Sequence, residues 1–210
     1  MASAIIHMCV AKKVNEKLNM DIRLLSLGSI APDSGKYFTG SKDVAHFIKD
    51  IPNMPEMDDF LNKYKNYLNK PFEMGYYIHL LTDKYWFGNF VEDKMSKYNE
   101  KFNNTLNRKD ILKVIYNDYS ILNVPMISEY NPYIEIFMNE FDEVDSIISE
   151  IPCSKLDIFV NEMSKIVMEE INGDCEILKY DEVCDFIEKC SELILLEIKN
   201  DLGVFYGEDL

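Results

Sequence analysis

Phe72-Glu73-Met74-Gly75-Tyr76-Tyr77-Ile78-His79-Leu80-Leu81-Thr82-Asp83 is the stretch from which the architecture of this chain is best read. It follows Asn69-Lys70-Pro71, where the proline ends one helix and suits the first turn of the next. Beyond it, Tyr85, Trp86, Phe87 and Phe90 keep the segment apolar. The pattern predicts one central helix over about 71–95, with aromatic rings crowded around His79. His79 and Asp83 are four apart, so both side chains stand on one face, a turn from each other. That spacing lets one metal ion take a nitrogen and a carboxylate oxygen from a single helix. It equally suits an N–H to carboxylate hydrogen bond with no metal. Gly75, one turn further back, would let another backbone come close.

Helical periodicity continues outward in both directions, and no alternating strand pattern interrupts it. Towards the N-terminus, Ser3 reads as an N-cap and His7, Val10, Ala11, Val14 and Leu18 form an inward stripe. A short helix over 21–27 is expected to stop at Gly28, followed by a loop through Ala31-Pro32-Asp33-Ser34-Gly35. Residues 35–54 read as irregular, and 55–68 as a helix with Pro55 in its first turn. Towards the C-terminus, helices are expected near 108–122, 133–149, 155–171 and 180–201, with joints at Asn107, Pro125, Pro132, Pro152 and Gly173. The sum is an all-α, multi-helical single domain spanning 1–210, with residues 1–95 carrying the candidate chemistry and 96–210 carrying no motif.

Composition narrows the function classes. The 210 residues are 47% hydrophobic and 28% charged, which suits one buried core. A net charge of −15, with the basic residues scattered among acids, argues against a nucleic-acid or anionic-membrane surface. The five cysteines form no CxxC pair and read as reduced thiols. No segment has the pattern of a signal peptide or the length of a membrane span, so a cytoplasmic location is expected.

The chain has three histidines, His7, His46 and His79, and each sits in a segment that could place it at one metal centre. Taken singly, His7 could be a core histidine on a helix face, His46 a hydrogen-bonded loop residue beside Phe47, and Asp33 a turn-former. Taken together, four segments in order are similar to a known family: Ala2-Ser3-Ala4-Ile5-Ile6-His7, Leu27-Gly28-Ser29-Ile30-Ala31-Pro32-Asp33, Ala45-His46-Phe47, and the stretch 72–83. Over residues 1–95 the chain resembles the zinc-dependent phospholipase C family, whose all-helical fold is shared with the P1 nucleases.

The resemblance implies a metal site and a reaction. Asp33, His46, His79 and Asp83 match the four ligands of one family zinc, and His7 and Asp83 match ligands of a second. Asp83 is then the carboxylate shared by two ions, and Asp33 and Asp83 are the candidate catalytic acids. In secreted family members the mature N-terminal residue completes the second site; here Met1-Ala2 stands in that place. The third family zinc needs a histidine soon after the HxxxD step and a later HxxxE pair. No histidine follows His79, and Asn89 stands near where the first would fall, so one or two Zn²⁺ are expected. Mn²⁺, Fe²⁺ or Ni²⁺ would also suit a mixed nitrogen and oxygen shell.

The leading expectation is a hydrolase of phosphoric esters that uses metal-activated water. Its substrate is a small-molecule or lipid phosphoester, with Tyr76, Tyr77, Tyr85, Trp86 and Phe87 either lining an apolar approach or filling the core. The competing reading is an inactive helical binding or regulatory protein that keeps a structural metal or none. An HD-type phosphohydrolase needs adjacent His and Asp, and no His-Asp dipeptide occurs.

Overall fold

A computed structural model describes residues 2–139 and 144–203. Its helices are α1 (Ala4–Leu18), α2 (Ile22–Ile30), α3 (Ser34–Thr39), α4 (Met57–Tyr64), α5 (Pro71–Asn89), α6 (Val91–Glu100), α7 (Arg108–Tyr130), α8 (Leu156–Val167) and α9 (Tyr180–Leu202). Among the described residues there is no strand, only an isolated bridge between Ile48 and Pro55. The all-α single domain expected from the sequence is what the chain forms.

Helix α5 is the axis. Every residue from Phe72 to Asp83 is buried, because α1, α2, α4 and α9 all pack around it. Its tightest neighbour is α2, and two glycines make that contact possible. A Cβ on Gly28 would sit 2.1 Å from the Phe72 carbonyl oxygen, and a Cβ on Gly75 would sit 2.1 Å from that of Leu25. The helices therefore touch backbone to backbone. This corrects the expected stop at Gly28: α2 runs on to Ile30, because the glycine serves a crossing and not a cap.

Helix α1 starts where the sequence places it. Ser3 Oγ accepts the Ile6 N–H at 3.2 Å, and Asn19 closes the other end in the left-handed conformation. Ala4 to Ala11 are all buried, so the first two turns have no solvent face. Aromatic rings fill much of the remaining core: Trp86 packs against Phe90 and Phe186 at centroid distances of 4.8 and 4.9 Å. Tyr76, Tyr77, Trp86 and Phe87 are buried and Tyr85 half-buried, so these side chains belong to the core and not to an apolar approach.

Several boundaries differ from expectation. The central helix ends at Asn89, and Phe90 turns the chain into α6. The stretch expected to be irregular contains α3. Helix α7 passes through Pro125 and ends at a left-handed Asn131. The helix expected over 133–149 is absent from its described parts, and residues 140–143 lie outside the described residues. Only a 3₁₀ turn forms there, Ile134–Phe137. Beyond it, Ser146 Oγ and the Ile147 N–H donate to the buried Glu73 carboxylate on α5. A buried carboxylate needs such donors, and an α-helix would have committed that backbone to itself.

Candidate metal centre

Four segments deliver five ligand-type side chains to one place. His7 comes from α1, Asp33 from a 3₁₀ turn (Ala31–Asp33) after α2, His46 from the turns that follow α3, and His79 and Asp83 from α5. His7, His46 and His79 have no exposed surface, Asp83 is 1% exposed and Asp33 is 9% exposed. The structure thus brings together every site residue expected from the sequence.

Local bonding orients each ring. His79 Nδ1 lies 2.7 Å from the Ser29 carbonyl and His46 Nδ1 lies 3.0 Å from the Lys42 carbonyl. A carbonyl only accepts, so each Nδ1 carries a proton and each Nε2 is directed inward. Ser29 reaches His79 because Gly28 and Gly75 let α2 and α5 approach so closely. The segment holding His46 is tied to α5 by Tyr76, whose hydroxyl donates to the Ala45 carbonyl at 2.5 Å. Phe47, at φ 54°, then turns the chain sharply away.

The inward atoms have the spacing of a coordination shell. His46 Nε2 and His79 Nε2 are 3.1 Å apart. Asp33 Oδ1 lies 3.3 Å from His46 Nε2 and 3.8 Å from His79 Nε2. Asp83 Oδ2 lies 3.6 and 3.8 Å from the same two nitrogens. Ligands about 2.0–2.2 Å from a tetrahedral ion are roughly 3.3–3.6 Å from one another. Ligand atoms of Asp33, His46 and His79 all lie within 4.8 Å of one another, and Asp83 Oδ2 adjoins the two nitrogens. The residues present therefore fit a divalent metal ion.

Asp83 faces two ways. Its Oδ1 lies 3.5 Å from His7 Nε2 and accepts the Ala2 N–H at 3.1 Å. His7 stacks on His79 at a centroid distance of 3.8 Å, and neither of its ring nitrogens has a hydrogen-bond partner among the described residues. His7, His79 and Asp83 also lie close enough to hold an ion. His79 has only Nε2 to give, though, and Asp33 and His46 claim it. The second position thus has His7 and Asp83 as its own ligands, a thinner set than the first.

Burial and charge act against each other here. Burial, and then the neighbouring His7, push the His79 imidazole down to about 3, so it is neutral at ordinary pH. Burial alone would raise the Asp83 carboxyl; its contact with His7 and the nearby His79 act against that, and the group is held well below its ordinary range. Asp33 is likewise held low, with burial overcome by its contact with His46. Neutral imidazoles and ionised carboxylates are the forms that bind metal.

Asp33 is also the ligand-type group that meets a cleft. A cavity of about 500 Å³ runs from Ala2 and Asp33 outward between α3, α7 and α8. Its walls include Tyr119, Phe159, Met163 and Val167, and at its edge Tyr37, Tyr116 and Ile166 are 50%, 48% and 57% exposed. Sequence reasoning missed these wall residues. Their signal lay in the aromatic and aliphatic positions of α7 and α8, which only the fold directs to one cleft.

The five cysteines are free, with Cys9 and Cys190 buried. No described helix is long and apolar enough to cross a membrane. Compared with protein-family models, curated proteins and solved structures, the chain matches none.

Proposed function

We propose that this protein is a metal-dependent hydrolase of phosphoric esters, as its resemblance to zinc-dependent phospholipase C implies. One observation carries the reading: ligand atoms of Asp33, His46 and His79 lie within 4.8 Å of one another, Asp83 Oδ2 lies 3.6 Å from His46 Nε2, and Asp33 meets an apolar cleft. Zn²⁺ is the ion proposed, since two imidazole nitrogens and two carboxylate oxygens form a borderline shell. When bound, such an ion polarises a phosphoryl oxygen and lowers the pKa of water to about 7.

The chain's own groups divide the remaining work. His46 and His79 keep their Nε2 atoms inward through Lys42 and Ser29. Asp83 spans the first position and the His7 side, so it would hold both if two ions bind. Asp33, which lines the cleft, would take a proton from the attacking water. The water oxygen bonds phosphorus, the ester P–O bond breaks, and the proton passes to the leaving oxygen. The cleft walls would seat an apolar leaving group or acyl chain and exclude bulk water, so a lipid-like phosphoester suits them. Free thiols at all five cysteines agree with a reducing compartment, and we assign the cytoplasm.

A closed structural site in a non-catalytic helical protein is the second reading. It is favoured by the near-complete burial of His7, His46, His79 and Asp83. Zinc-loaded protein assayed on a soluble phosphodiester, a phosphomonoester and micellar short-chain phosphatidylcholine separates the two. The hydrolase reading expects turnover on at least one substrate, abolished by chelation, restored by Zn²⁺ and lost in Asp33→Asn. Bound zinc without turnover on any of them would favour the structural site.

A further inference from the structure

Two lysines, Lys36 and Lys42, line adjoining cavities on the side of the fold that holds Asp33. Lys63, Lys84 and Lys94 pair with Glu150, Glu197 and Glu182. Lys36 and Lys42, like Lys12, Lys17 and Lys65, form no ion pair among the described residues, and the chain carries a net charge of −15. Lys36 lies one turn beyond Asp33 on α3 and lines the apolar cleft. It also lines a neighbouring, more polar cavity of about 290 Å³, together with Lys42, Tyr116 and Arg108. The two cavities meet at Lys36 and Tyr116.

Lys42 is fixed to the centre from the other side. Its carbonyl accepts from His46 Nδ1, its half-buried ammonium lies 5.1 Å from the Phe87 ring centroid, and it interacts at range with the charges of Asp83, Asp33 and Lys36. The third cation in the polar cavity, Arg108, is already held by both carboxylate oxygens of Glu92. Asp43 also faces this cavity, so Lys36 and Lys42 together leave it with one positive charge in excess.

We infer that Lys36 and Lys42 form an anion-recognition pair that receives the phosphoryl group of the substrate where the two cavities meet. The inference rests on the phosphoester reading above and adds to it a binding determinant outside the ligand set. An ammonium group offers a phosphoryl oxygen a charge-assisted hydrogen bond, the strong class of such contacts. In an acidic protein these two cations also offset the repulsion that a phosphate anion meets on approach. The apolar part of the substrate would then lie along Tyr119 and Phe159, and its polar part in the Lys42 cavity.

Binding of inorganic phosphate tests the pair without any turnover. Calorimetry at low ionic strength would be run on zinc-loaded and metal-free protein, with zinc counted in the same samples. Lys36→Met and Lys42→Met are each expected to weaken phosphate binding about tenfold or more. Lys42→Arg should stay within about threefold, and Lys17→Met on the exposed end of α1 should match the wild type. Equal affinity in the wild type and both Met variants would overturn the inference, as would absence of phosphate binding in both forms. Lysine-dependent phosphate binding in a protein that takes up no zinc would keep the pair and defeat the metal reading instead.

Discussion

Asp83 and Asp118 are both buried aspartates, one in each half of the chain, and their surroundings differ in kind. Asp118 on α7 accepts three backbone N–H groups, from Glu176, Ile177 and Leu178, at 2.8–2.9 Å. Its acceptors are spent on clasping the segment that leads into α9. Asp83 instead faces His7, His46 and His79 across 3.5–3.8 Å, with Ala2 as its one backbone donor among the described residues. A carboxylate satisfied by backbone is architecture. One facing three imidazoles is free to help hold a cation. Asn123 and Ser191 extend the contrast, for the second half has buried polar groups but no buried histidine. Its contribution to the site is a wall, supplied by α7 and α8.

Breaking each aspartate in turn should separate these roles. Zinc at a thousandfold excess over its Kd stabilises a folded protein by about 4 kcal/mol. Asp83→Asn should lose that increment almost entirely, measured as the difference between zinc-loaded and metal-free denaturation midpoints. Asp33→Asn should retain part of it, because Asp33 serves one position only. Equal retention in both variants would remove the shared-carboxylate argument. Asp118→Ala should cost about 3 kcal/mol in both forms, since it strands three buried donors. Its zinc increment should remain that of the wild type.

A smaller effect sharpens the electrostatic side of the contrast. In metal-free protein His79 stays neutral down to about 3, whereas the unfolded side chain takes up a proton near 6.5. Between those values the unfolded state binds the extra proton, so stability falls as pH drops below 6.5. The loss should be about 1.4 kcal/mol for each pH unit in that window. Urea denaturation from pH 7 to 5 measures it, and His79→Gln should flatten the slope. An unchanged slope would mean that His79 does not carry it.

Much of the first half was legible because its signals are local. Ser3 caps α1 as a serine before an apolar run should, and His79 and Asp83 share a face by helical periodicity alone. That Asp33 and His46 join them came from the resemblance, since nothing local in 31–47 specifies a contact with α5. Gly75 was legible as a site of close approach, but Gly28 was not. A glycine that stops a helix and one that lets two helices touch look alike until the partner backbone is known. The expected helix over 133–149 failed for a related reason: the demand of Glu73 for donors comes from another element. Lys36, Lys42, Tyr116 and Phe159 are far apart in sequence and carry no shared pattern. Only the packing of α3, α7 and α8 makes them neighbours.

The most direct test is metal content per chain, by plasma mass spectrometry, on tag-free protein beside its His79→Ala variant. The account predicts one or two equivalents of zinc or a similar divalent ion in the wild type, lost in the variant while the helical circular-dichroism signal persists. No metal in the wild type, even after reconstitution with Zn²⁺, would contradict it and leave His7, Asp33, His46, His79 and Asp83 as a buried polar cluster.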